Sequence, residues 1–187
     1  MRATDVIVVR DDVPRARMWT LAREQQWPRT GQTDRGHLVV ASEQWAPSSG
    51  LTVTWVEDHT SDVRSVRVTG SPDAVRPLAA EVRDALPHHP RATLIAAVQG
   101  EQRPATLIGL AGKLASCRPA QCDSAHLAAV QVLLAHEVLA VRRAALRNCY
   151  RYGWPQMQAL VRTRYEEDDE LGPQLDHLLT FLLRAPS

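Results

Sequence analysis

The 187-residue chain is short of several residue types, and each shortage narrows what the protein can be. It holds three cysteines, Cys117, Cys122 and Cys149. An odd, low count builds no disulfide framework and fits a reducing compartment, so a cytoplasmic protein is expected. No apolar run reaches the roughly eighteen residues that a membrane-spanning helix needs. The opening MRATDVIVVRDDVPR has too short an apolar stretch for a secretory signal, and acids follow it directly. Lysine is almost missing: Lys113 stands alone among 22 basic residues, and the others are arginine. With the abundant Ala, Val, Leu and Pro, this fits a GC-rich bacterial genome. Arginine is therefore a compositional bias before it is a choice of bidentate geometry. The net charge of +1 gives no bulk attraction to nucleic acid or membrane.

Signatures of catalysis are missing too. There is no G-x-S-x-G, no G-x-x-x-x-G-K-[ST] and no G-x-G-x-x-G. His136 and Glu137 begin like the H-E-x-x-H of a zinc peptidase, but Ala140 stands where the second histidine would be. Cys117 and Cys122 are five positions apart and His126 follows, a finger-like spacing with no second tight pair to complete it. Cys149 falls on an expected apolar helix face, where a thiol behaves as a small hydrophobe. No metal or cofactor is expected. Asp11, Asp12, Glu57, Asp58 and Asp62 lie near strand ends, open to acid–base chemistry but equally suited to turns. Trp19, Trp27, Trp45 and Trp55 are many for one half of a small chain. They suit either a pocket or an aromatic core.

What remains is an architecture. At 44% hydrophobic, the chain can bury one good core or two small ones. It divides near LPHHPR, giving an expected α/β domain over residues 1–88 and an α-helical domain over 89–187, with a shared core left open. His88 and His89 read as linker. The first half has the pattern β-α-β-β-β-α. DVIVVR is a β-branched strand, Asp11 to Pro14 starts a helix that stops before Pro28, and RTGQTDRG is a loop. HLVVASEQW, LTVTWVED and VRSVRVTG alternate as strands. Ser71-Pro72-Asp73 opens a helix with Val75, Leu78, Ala79, Val82 and Leu86 on one face. A helix layer on a mostly antiparallel sheet is the expected packing, so the fold class is α+β.

After residue 90 every segment reads as helix, at about 91–98, 104–115, 123–135, 138–151, 154–164 and 173–184. The third is apolar nearly all round and should be central. Arg143, Arg147 and Arg151 are spaced i, i+4, i+8 on one helix face, opposite Val138, Val141, Ala145 and Cys149. Arg142 flanks them, and Tyr150, Tyr152 and Trp154 are interleaved. No acid occurs between Glu137 and Glu166. Then Glu166, Glu167, Asp168, Asp169 and Glu170 form a block of like charge, which suits a solvated loop or a basic partner.

The segments RPATLIGLAGKLA and VRRAALRNCYRYG share a basic start, an Ala-Leu centre and a break after about three turns, at an offset near forty residues. The second copy, in LLAHEVLAVRRAALRNCYRYGWPQMQALV, resembles the HEAT-repeat family through Val141, Arg142, Ala144, Ala145, Leu146 and Gly153. Glu137 alone represents the family's acidic turn, and the first copy lacks Val-Arg. The resemblance implies stacked helix pairs over about 91–184, with second helices lining a concave binding surface. It implies binding and not chemistry. It also ties Arg142 to a neighbouring turn, and the arginine stripe then reads equally as a solvated helix face. Compact bacterial proteins that join an α/β segment to HEAT-like helices resemble immunity proteins that occlude a secreted toxin. On that analogy the partner is another protein, such as a basic toxin or nuclease. Contacts would fall at Arg143, Arg147, Arg151, Tyr150 and Trp154, and at the acidic block 166–170. The alternative is a HEAT-like nucleic-acid binder or alkyl-base DNA glycosylase, with the arginines on phosphate and Trp154 or Tyr150 stacking a base. No catalytic Asp can be placed for it.

Overall fold

The structure, a computed structural model, describes residues 2–33 and 40–171. The chain divides into two compact units, Met1–Pro90 and Arg91–Ser187. The fold is α+β: a five-stranded antiparallel sheet with two helices, followed by an all-helical region.

The sheet unit runs β1 (Ala3–Val8), α1 (Arg15–Glu24), β2 (Arg29–Thr33), β3 (Val40–Trp45), β4 (Thr52–Asp58), β5 (Val63–Gly70) and α2 (Pro72–Ala85). Strand order is β1-β5-β4-β3-β2, with every neighbouring pair antiparallel. The last four strands form a meander, and β1 pairs with the final one. Thus α1 carries the chain from one sheet edge to the other. Period-two alternation sends Ile7, Trp45, Val53, Trp55, Val66 and Val68 to one face. There they pack with Met18, Leu21 and Ala22 of α1 and with Val75, Leu78, Ala79 and Val82 of α2. The expected apolar face of α2 is the buried one.

Two local expectations need correction. RTGQTDRG is not all loop, because Arg29–Thr33 pairs with β3 as an edge strand. Its side chains face mainly outward, and an edge strand needs backbone partners more than an apolar pattern, so composition concealed it. His88 and His89 are not a slack linker: His88 bridges Val9, and the His89 N–H donates to the Val8 carbonyl at 2.8 Å.

The helical unit comprises α3 (Arg91–Gly100), α4 (Pro104–Ser116), α5 (Ser124–Leu134), α6 (Leu139–Cys149) and α7 (Pro155–Glu167), then a short 3-10 turn, Asp169–Leu171. Pro104 and Pro155 occupy first helical positions, and the Asp123 carboxylate caps α5 by accepting from the His126 N–H at 2.9 Å. Gly153 adopts φ 63°, a left-handed conformation that suits glycine, between α6 and α7. The helices pack as hairpins, with α3 also against α5, α4 against α6, and α5 against α7. Although α5 touches four helices, it is not enclosed all round: Val132 is 43% exposed. The helix expected at 173–184 lies outside the described residues.

Candidate functional site

The arginines of α6 separate by one helical step. Arg143, Arg147 and Tyr150 are exposed and share a face with exposed Ala140. Among the described residues neither Arg143 nor Arg147 has an ion-pair partner. Arg151 is half-buried, and its Nη1 lies 3.3 Å from Ser116 Oγ of α4. Its guanidinium also stands 5.6 Å from the Tyr150 ring centroid, so the pair is assembled before any partner arrives.

Arg142 has turned inward and is 8% exposed. Its Nη1 donates to the carbonyls of His136 (2.9 Å) and Glu137 (2.8 Å), in the turn that precedes α6. Its Nε lies 2.8 Å from Asp168 Oδ2, an ion pair off the hydrogen-bonding direction, and its Nη2 donates to Glu170. One guanidinium therefore joins the start of α6 to the segment after α7. The acidic block is divided in consequence. Asp168 and Glu170 neutralise Arg142, Glu167 pairs with Arg164 at 3.4 Å, and Glu166 and Asp169 are exposed.

Trp154 is not on the surface. It is 2% exposed, and its Nε1 donates to the Pro119 carbonyl at 3.2 Å. It packs edge-on against His126 at 5.4 Å and tilted against Tyr152 at 4.9 Å. His126 is fully buried, its Nε2 lies 3.4 Å from the Tyr152 hydroxyl, and among the described residues its Nδ1 has no hydrogen-bond partner. Burial pushes its pKa down to about 4, and the charge of Arg91 pushes the same way. Burial also raises the thiols of Cys117 to about 11 and Cys149 to about 12, which keeps them protonated. Among the described residues no three His, Cys, Asp or Glu side chains gather to hold a metal. His136 and Glu137 lie in a turn and not on a helix, and His136 Nδ1 accepts from the Val138 N–H.

Of the candidate acids in the first half, Glu57, Asp58 and Asp62 line one small hollow, and two of them have structural partners. Glu57 forms a 2.7 Å ion pair with Arg15 of α1. Burial alone would raise its pKa, but hydrogen bonds from Arg15 and Trp55 and the charges of Arg15 and Arg64 hold it below the ordinary 4.5. Asp58 Oδ1 accepts from the Thr60 N–H at 3.0 Å and closes the turn before β5.

The tryptophans do divide between core and pocket. Trp55 is wholly buried, while Trp19, Trp27 and Trp45 line a cleft of about 380 Å³ with Ala22, Arg23, Arg29 and Glu43. Glu43 is 1% exposed on the core face of β3, beside Trp45. Its Oε2 accepts from Trp19 Nε1 at 2.6 Å, and its Oε1 pairs with Arg29 Nη1 at 3.0 Å, again off the hydrogen-bonding direction. Trp27 is placed by the end of α1. The Trp27 N–H donates to the Ala22 carbonyl and the Gln26 N–H to that of Arg23, a Schellman closure with Gln26 left-handed at φ 57°. Sequence reasoning missed Glu43, although a signal existed: in ASEQW it alternates in step with Ala41 and Trp45, a charge on an apolar face.

No helix among the described residues is long and apolar enough to cross a membrane. Comparison of the chain with protein-family models, with curated proteins and with solved structures returns no match.

Proposed function

We propose that the protein is a non-catalytic protein-binding module that acts by occupying a partner, in the manner of an immunity or regulatory protein. The observation that carries this reading is the outer face of α6. Arg143, Arg147 and Tyr150 stand exposed in register, while Arg142 anchors the same helix from behind. Arginine and tyrosine are favoured in protein interfaces, and an anchored helix presents them with little ordering cost. The packing of α3 on α5, α4 on α6 and α5 on α7 supports HEAT-like stacking, since helix pairs in such an array touch their counterparts one pair on. In that arrangement α6 is a second helix, the kind that faces a ligand.

Within the acidic block the exposed Glu166 and Asp169 are the groups suited to a basic toxin or nuclease. Asp168 and Glu170 already hold Arg142. The nucleic-acid alternative loses Trp154 as a stacking element, because that indole is buried, and keeps only the exposed Tyr150.

The test is affinity capture from a lysate of the source organism, with and without nuclease. It compares the wild type with the Arg143→Glu/Arg147→Glu double variant. A stoichiometric protein that survives nuclease and is lost by a variant of unchanged melting temperature is the expected outcome. Equal retention by both proteins removes the α6 face from the interface. Nucleic acid released by raised salt would replace the proposal with its alternative. Glu166→Lys with Asp169→Lys separately tests the acidic contact, and unchanged association kinetics would delete it.

A further inference from the structure

The tryptophan cleft of the sheet unit is a second candidate site, independent of the helical face. Its size lies within the ~300–1,000 Å³ range of small-molecule pockets. Three indoles line it: Trp19 is 50% exposed at its mouth and Trp27 is half-buried, so a flat ring can reach these two, and the buried Trp45 forms the floor. The charge on offer decides what that ring must carry. Glu43 is not available: its carboxylate is buried, one oxygen takes the Trp19 indole N–H, and the other is paired with Arg29. The position a ligand cation would fill is thus already filled by a guanidinium of the protein. Two guanidiniums stand at the lining against that one carboxylate: Arg29, whose Nη1 pairs with Glu43 and whose Nη2 donates to Gln32, and the exposed Arg23, which leaves an excess of one positive charge. Arg23 has no ion-pair partner among the described residues. A cleft with indole walls and two guanidiniums at its mouth complements an aromatic ring bearing a negative group.

We infer that this cleft binds a small planar aromatic anion. The ring stacks among Trp19, Trp27 and Trp45, and a carboxylate or phosphate lies on Arg23 and Arg29. Glu43 is a positioning residue that fixes the Trp19 indole and the guanidinium of Arg29.

Three probes of similar ring size separate the possibilities: indole-3-acetate (aryl anion), tryptamine (the same ring with a cation) and adenosine monophosphate (a planar base with a phosphate). Each is titrated into the full chain and followed by the five indole N–H resonances, assigned through single Trp→Phe variants. Indole-3-acetate or the nucleotide is expected to bind at least tenfold more tightly than tryptamine. The expected shifts fall on Trp19, Trp27 and Trp45, with Trp55 and Trp154 unmoved. Which of the two anions binds better identifies the carboxylate or the phosphate source. Arg23→Gln, which breaks no ion pair among the described residues, should remove most of the preference for anion over cation while the spectrum stays dispersed. Equal or tighter binding of tryptamine would overturn the inference, and so would millimolar anion that leaves the three indoles unmoved. A preference unchanged in Arg23→Gln and in Arg29→Gln would also overturn it.

Discussion

Arg142, which the HEAT-like resemblance ties to a neighbouring turn, is a fastener on the carbonyls of His136 and Glu137. Its neighbour Arg143 differs in sequence position by one and in environment completely: one is 8% exposed among two carbonyls and two carboxylates, the other faces solvent. Truncating Arg142 leaves the Asp168 carboxylate buried without its cation and two carbonyls without their donor. Loss of one member of a buried pair costs about 3–5 kcal/mol. Arg142→Ala is therefore expected to lower stability by about 3 kcal/mol, measured by urea unfolding. Arg142→Lys should recover little of it, because a single ammonium cannot reach carbonyls on one side and carboxylates on the other. Arg143→Ala is the matched control and should stay within about 0.5 kcal/mol of wild type. Equal effects at the two positions would refute the assigned geometry.

At the scale of elements, the end of α1 carries a local strain with a purpose. Gln26 holds a left-handed conformation at φ 57°, which costs a non-glycine residue about 1–2 kcal/mol. In return the closure turns the chain so that Trp27 meets the cleft. Gln26→Gly is expected to raise stability by up to about 1 kcal/mol, and Gln26→Val to lower it by a similar amount, read as opposite shifts in melting temperature. Shifts of the same sign would disprove the closure. The legible elements were those whose side chains carry the fold. The stripe of α2 and the alternation of β4 and β5 are written in apolar residues, and so is the helical character of α3 to α7. What stayed hidden depends on the backbone or on tertiary neighbours. Edge strand β2 is held by main-chain hydrogen bonds to β3, and its polar side chains say nothing of them. The tie of Arg142 to the turn before α6 was legible from the resemblance, but its carboxylate partners Asp168 and Glu170, 26 and 28 positions away, were not. The candidate face was legible in part. Helical spacing exposed Arg143 and Arg147 correctly, but an aromatic after a glycine, Trp154, went to the core because its indole found the Pro119 carbonyl there.

Across the whole molecule, the response to acid falls into windows set by a few shifted groups. His126 has a folded pKa of about 4 against an ordinary 6.5, because burial penalises the imidazolium and Arg91 repels it, while Asp123 draws the other way. As pH falls through 6.5 the unfolded chain takes up a proton at this histidine and the folded chain does not, so the unfolded state gains. The stability linked to neutral His126 is complete above pH 6.5, declines as pH drops, and is gone below about 4. The shift corresponds to about 3 kcal/mol in all, of which about 2 kcal/mol is lost between pH 7 and 5. Glu57 acts in a lower window. Its folded pKa is depressed below 4.5, so its contribution is present above that value and disappears only as pH falls beneath it. Between pH 7 and 5 the histidine therefore dominates. Urea unfolding at those two pH values should show the wild type losing about 2 kcal/mol. In His126→Phe, which keeps an aromatic ring against Tyr152 and Trp154, stability should be nearly flat over the same range. A wild-type protein as stable at pH 5 as at pH 7 would mean that His126 is protonated or solvated in the fold. The same slope in the variant would assign the acid response to another group.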